Sequence, residues 1–304
     1  MDVKNIEAMI YLLDDNDQEV VQQIENQLLE LGTPVIPILE DQWNRENLTA
    51  LHHERIYELM DKIRLSSSLG EIEKWKNDES NDILEGCFIL SRIFFPEVEL
   101  ETIEKEIEQI RLDVWLQMSN TLSAWERVRI LNDVFFVKFK YKGDRDNYHE
   151  PENSFIHKVI ERKKGNPISL SVLYLSVAQR LNLPIFGVNL PQHFVLAFMP
   201  SDFDESTGDF SQKFEMNYKS FPGEPLFYLD VFSEGLPFDR DRVNSFLKEV
   251  NIEPREQYYH PCSNVEILKR VVRNLIHSYE QKEKPKKLEL LNNIMNTLNA
   301  SDES

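Results

Sequence analysis

One helix constrains this chain more than any other stretch of it. Leu170, Leu173, Tyr174, Val177, Ala178 and Leu181 fall at i, i+3, i+4, i+7, i+8 and i+11, and Val172 and Leu175 put further apolar groups on the flanks. That spacing predicts a helix, and apolar residues around most of its circumference predict that it is buried on most sides. Its start is written in capping chemistry. Asn166 stands at the N-cap, Pro167 at the first helical position and Ser169 at the third, where a hydroxyl meets N–H groups that have no partner inside the helix. After Asn182-Leu183-Pro184 the period changes to two. Ile185, Gly187 and Asn189 alternate with Phe186, Val188 and Leu190, then His193, Val195 and Ala197 alternate with Phe194, Leu196 and Phe198. Two strands are expected, the second beginning at His193, joined by a short turn at Pro191-Gln192. Pro225–Phe232 reads as a further strand ending in a turn at Ser233-Glu234-Gly235. A buried helix packed on an antiparallel sheet makes the fold class α+β, with this core expected over residues 121–250.

The flanks read as helical. Ile6, Met9, Ile10 and Leu13, then Val20, Val21, Ile24, Leu28 and Leu31, keep helical spacing on either side of Asp14-Asp15-Asn16-Asp17, and Gly32 with Pro34 marks a stop and a new start. This hairpin resembles a HEAT-type repeat, which buries its faces against neighbours. Helices around Ile83–Phe94 and Leu100–Met118 are its expected partners, giving an all-helical, HEAT-like region over 1–120. At the other end, Val265–Tyr279 and Lys286–Leu298 form a hairpin resembling one tetratricopeptide-like unit, over 251–304. Asp144–Pro151 and the acidic stretch Ser201–Gln212 read as polar loops.

Charge and composition narrow the function classes. With 34 basic and 53 acidic side chains the net charge is −19, and no basic stripe exists to neutralise a phosphate backbone, so nucleic acid is not the expected partner. No apolar run reaches the length of a membrane helix, and no secretory signal opens the chain, so no membrane association and a cytoplasmic location are expected. Cys87 and Cys262 are the only cysteines, too far apart in sequence and context for a CxxC site. His52, His53, His149, His157, His260 and His277 show no metal-ligand spacing. Neither a metal nor any other cofactor is expected.

The core carries a constellation. A polar residue at the mouth of the buried helix, then His193, then Asp230, has the order nucleophile, base and orienting acid, and a helix N-terminus would activate such a nucleophile. Arg162 to Tyr174, followed by Leu190-Pro191-Gln192-His193-Phe194 and Leu229-Asp230-Val231-Phe232, resembles the SirB-type transglutaminase-like family of bacteria. The likeness extends to Asn147-Tyr148-His149, Glu152-Asn153-Ser154, Ser263–Leu268 and Arg273-Asn274-Leu275. It implies a transglutaminase or papain-like core with a C-terminal tetratricopeptide-like hairpin.

In catalytic members a Gly-x-Cys motif precedes a Gly-Ile-Pro turn; counting back about fifteen residues from Asn182-Leu183-Pro184 puts Pro167 in the cysteine slot, and proline cannot attack. Ser169 is the nearest hydroxyl, but two helical residues are a rotation of about 200°, so it faces away from whatever Pro167 faces. Three readings stay open. The first is a pseudoenzyme whose cleft, with Asn153, Asn166, Pro167, Asn189 and Gln192, binds a protein or peptide partner. The second is an amide or ester hydrolase using His193, Asp230 and either Ser169 or a water. The third is a scaffold whose polar residues satisfy one another. The oligomeric state is not written in the sequence.

Overall fold

The computed structural model describes residues 3–45, 48–78, 82–200 and 223–300; the predicted loop Ser201–Gln212 lies outside them. The chain divides into two compact units, Met1–Lys74 and Trp75–Ser304. In the first, the expected hairpin forms as α1 (Val3–Tyr11) and α2 (Gln18–Leu31). Asp17 caps α2 by accepting the Glu19 N–H, and Gly32 ends it at φ +68°, a left-handed angle that a side chain would oppose. α3 (Ile36–Trp43) and α4 (Ala50–Asn77), whose last turn is counted with the second unit, follow. Ile10, Leu13, Leu28, Leu39, Ile56 and Leu59 meet in one core.

The second unit opens with α5 (Ile83–Phe94), α6 (Leu100–Trp115) and α7 (Ala124–Asn132), which runs on into a π-helical turn at Asp133–Lys138. α5 and α6 were expected to cover the N-terminal hairpin. They belong to the second unit, together with α8 (Ile156–Arg162) and the predicted core helix α9 (Pro167–Arg180), on both of which they pack. The reason is the burial of α5 at eight positions from Ile83 to Ser91, which requires cover on more than one side. β1 (Lys142–Gly143) pairs in parallel with β2 (Lys164–Gly165) just ahead of α9.

α9 lies on a four-stranded antiparallel sheet in the order β3 (Ile185–Val188), β4 (Val195–Phe198), β5 (Phe227–Asp230), β6 (Leu236–Phe238). Gly187 stands opposite Leu196, Leu196 opposite Leu229, and Asp230 opposite Leu236. Every residue of β3 and β4 is buried, so both faces need cover. α9 packs against β3 and β4, and α10 (Arg240–Glu249) covers Phe186, Val188, Val195, Ala197 and Tyr228 with Val243 and Leu247. β6 leaves no sequence signal of its own, and α10 was passed over although Asp239 caps it and Val243, Phe246 and Leu247 fall on one helical face. β6 is too short for a period and carries Pro237, tolerated because an edge strand need not donate. At the C-terminal end α11 (Asn264–Gln281) packs against α12 (Pro285–Asn299). Among the described residues no helix is long and apolar enough to cross a membrane.

Two expectations are corrected. The second strand starts at Val195, not at His193, because Gln192 at φ +59° turns the chain just before it. Asp144 is not a solvated loop residue. Its side chain is fully buried, with Arg162 Nη2 at 2.5 Å from Oδ2.

Candidate functional site

Asn166 and Ser169 form a reciprocal capping box at the mouth of α9. The Ser169 N–H donates to Asn166 Oδ1 at 3.0 Å, and the Asn166 N–H donates to Ser169 Oγ at 3.1 Å. The Ser169 hydroxyl then donates to the carbonyl of Asn153 at 2.6 Å, and Asn166 Nδ2 donates to Ser154 Oγ at 2.8 Å. Asn153 continues the network, giving Nδ2 to the Asn147 carbonyl and taking Arg162 Nη1 at 3.1 Å on Oδ1. Asn153, Asn166, Pro167 and Ser169 are all buried, and the Pro167 carbonyl accepts the Ser171 hydroxyl. These groups satisfy one another. No hydrogen bond among the described residues joins Ser169 to His193, which removes the support for a serine nucleophile.

His193 and Asp230 do meet, with Nε2 and Oδ2 3.3 Å apart and both side chains about one-fifth exposed, 23% and 21%. Asp230 ends β5, and its position is held from below. Tyr174 of α9 donates its hydroxyl to Asn132 Oδ1, and Asn132 Nδ2 donates to the Gly235 carbonyl in the β5–β6 turn. Asp230 Oδ1 accepts the N–H groups of Phe232 and Ser233 at 3.0 and 3.2 Å, and Oδ2 accepts the Ser233 hydroxyl at 2.9 Å. Burial pushes its carboxyl pKa up, but the bonds from His193 and Ser233 outweigh that and hold it below the ordinary aspartate value. The imidazole lies against the ring of Phe246 of α10, centroids 5.9 Å apart. The pair is an oriented imidazole with a charged partner, open to solvent, with no nucleophile bonded to it.

Asn189 belongs with this pair, while Gln192 is exposed in the turn. Arg270 of α11 donates to Asn189 Oδ1 at 3.3 Å and to the Leu190 carbonyl at 3.4 Å, and the same carbonyl accepts the His193 N–H at 3.3 Å. Across from them, Phe232 meets Tyr148 edge-on at 5.8 Å. Phe232 and Tyr148 were named only within the motifs of the family resemblance, without a role, and Arg270 was not singled out from sequence. Arg270 in particular was concealed by Glu266 four residues earlier, which reads as its helical ion-pair partner. Neither thiol serves the site: burial drives the Cys87 pKa far up and raises that of Cys262 to about 12. Elsewhere, Glu224, Glu256 and His260 bring ligand atoms within 4.8 Å of one another, but Arg240 already pairs with both carboxylates.

Residues 101–273, from α6 into α11, match the transglutaminase-like superfamily. A UPF0162 protein of Xylella fastidiosa strain 9a5c is 28% identical over 214 residues, 67% of this chain and 66% of the relative, so the chain spans just under two thirds of that protein. A UPF0162 protein of Vibrio cholerae is 28% identical over 119 residues, 39% of this chain and 44% of the relative. F-box only protein 21 of Mus musculus is 44% identical over 66 residues, 22% of this chain but 10% of its own. No solved structure matches. The matched region takes in more than half of the sequence and holds the capped helix, the sheet and the His193–Asp230 pair: the chain belongs to the transglutaminase-like superfamily.

Proposed function

We propose that this chain is a transglutaminase-like pseudoenzyme, a cytosolic binding protein of the SirB-type branch that holds a peptide segment beside His193 and Asp230. The observation that carries this reading is the Ser169 hydroxyl, which donates to the Asn153 carbonyl and accepts the Asn166 N–H. With proline in the preceding slot, Cys87 buried and Cys262 half-buried with its pKa raised, acyl transfer through a covalent intermediate has no activated nucleophile to start from. The oriented His193–Asp230 pair keeps a polar, partly exposed surface suited to recognition. The helices of residues 1–120, read as HEAT-like, and the hairpin α11–α12, read as tetratricopeptide-like, are proposed to add contact surface.

The test is an array of immobilised peptides probed with the full chain, run beside an assay of model ester and amide turnover. Discrete peptides should be retained, with loss on His193→Ala, and hydrolysis should stay at the buffer rate. Turnover that disappears in His193→Ala would establish the water-based hydrolase and end the pseudoenzyme reading.

A further inference from the structure

Cations in this chain are outnumbered, 34 to 53, and its arginines commonly end on carboxylates: Arg111 on Glu108, Arg162 on Asp144, Arg240 on Glu224 and Glu256. Arg270 is different. Its i−4 neighbour Glu266 is engaged by Lys269 at 2.9 Å, and Arg270 turns to the β3–β4 turn instead. There a single nitrogen, Nη1, makes both of its hydrogen bonds, at 3.3 and 3.4 Å, to neutral oxygens. Nη2 and Nε make none among the described residues. Partial burial and the nearby charge of Arg273 both act against this guanidinium, and among the described residues no carboxylate pairs with it. An arginine drawn partly out of water without an anion is an unfavourable arrangement that an anionic ligand would correct.

Its surroundings place it in the site already described. The Leu190 carbonyl that takes Arg270 also takes the His193 N–H; His193 pairs with Asp230; Asp230 takes the Phe232 N–H; and Phe232 meets Tyr148. Burial raises the Tyr148 pKa against a weaker opposing pull from the Arg270 charge, so the phenol keeps its proton as a donor. Arg145 stands over Phe232 at 5.7 Å and forms no ion pair among the described residues, adding a second cation at the rim.

We propose that this cluster is a carboxylate receptor, in which Nε and Nη2 of Arg270, without a hydrogen bond among the described residues, take a carboxylate of the bound peptide, with the Tyr148 hydroxyl as a further donor, beside His193. The proposal rests on the peptide-binding reading and names what the peptide must carry. A carboxylate is favoured over a phosphate because its two coplanar oxygens match the side-on fork of a guanidinium. The carboxylate is either a chain terminus or an Asp or Glu side chain.

The experiment measures anisotropy of fluorescent hexapeptides with the full chain, each sequence made in three forms: free C-terminus without acidic residues, C-terminal amide with one Glu, and C-terminal amide without any carboxyl group. Sodium acetate and inorganic phosphate are titrated in parallel, read by the NMR shift of the Arg270 Nε–H and by peptide displacement. A carboxyl-bearing form should bind about tenfold or more tightly than the carboxyl-free form. Arg270→Gln should erase that preference, Arg270→Lys should restore part of it, and Tyr148→Phe should weaken it, with melting temperatures confirming that each variant is folded. Whichever carboxyl form binds identifies the source. Equal binding of all three forms, or a preference unchanged in Arg270→Gln, overturns the carboxylate receptor and leaves peptide binding standing. Displacement by phosphate at lower concentration than by acetate overturns the choice of carboxylate. Acetate shifting the Arg270 signal while no peptide binds overturns the peptide reading and keeps the receptor; a response to neither overturns both.

Discussion

His157 sits buried on α8 between Phe95 and Phe155, ring centroids 4.7 and 6.1 Å away, and neither of its nitrogens has a hydrogen-bond partner among the described residues. Burial, and then the charge of Lys158, lower its pKa, against weaker opposing pulls from Glu161, Glu97 and Glu152. A histidine depressed in the folded state contributes stability that is complete above its unfolded value, about 6.5, and is lost as the pH falls through that value toward the folded one. Melting temperatures of wild type should therefore drop between pH 7.5 and pH 5.5 more than those of His157→Leu; the single proton accounts for at most about 1.4 kcal/mol per pH unit. Equal acid sensitivity of the two proteins would refute this. Ser169 supplies a second test at this scale. Ser169→Ala takes the hydroxyl away from the Asn153 carbonyl and the Asn166 N–H, which still meet each other at 3.3 Å, so urea denaturation should show a loss of about 0.5–1.5 kcal/mol. Binding of any retained peptide should be unchanged, as befits a cap.

At the level of elements, close approaches decide how the site is held. A Cβ on Gly143 of β1 would lie 2.7 Å from Cδ2 of Phe232, so Gly143→Ala must push aside the ring that follows Asp230. Peptide affinity should fall while the far-ultraviolet circular dichroism stays that of the wild type. On β3, a Cβ at Gly187 would meet Phe194 Cζ at 2.6 Å and Ile267 Cδ1 at 2.8 Å. Gly187→Ala should cost about 1–3 kcal/mol by overpacking, measured in the same denaturation assay. The legible elements share one property: their signals are local. Asn166 and Ser169 cap α9 across three residues, and the apolar stripe of α9 recurs every turn. β6 was not legible because a three-residue edge strand exists only through its pairing with β5. His193 reads as part of a strand by alternation, yet ladder pairing begins two residues later.

Over the whole molecule the acid excess is the dominant long-range term. At −19 the compact chain repels itself. Raising NaCl from about 10 to about 150 mM shortens the screening length from about 30 to about 8 Å and should raise the melting temperature, while a fall would show that specific ion pairs outweigh the net charge. The sequence by itself determined the α+β class, the core helix α9 with its cap and the strands β3, β4 and β5 that follow it, because periods and caps are carried by neighbouring residues. Only the tertiary structure decided that Ser169 spends its hydroxyl on Asn153, that His193 finds Asp230, and that Glu266 goes to Lys269 while Arg270 turns to Asn189 and the Leu190 carbonyl. Each of those outcomes turns on which of several competing partners comes within hydrogen-bond reach once the chain has packed, and the spacing of residues along it does not encode that choice.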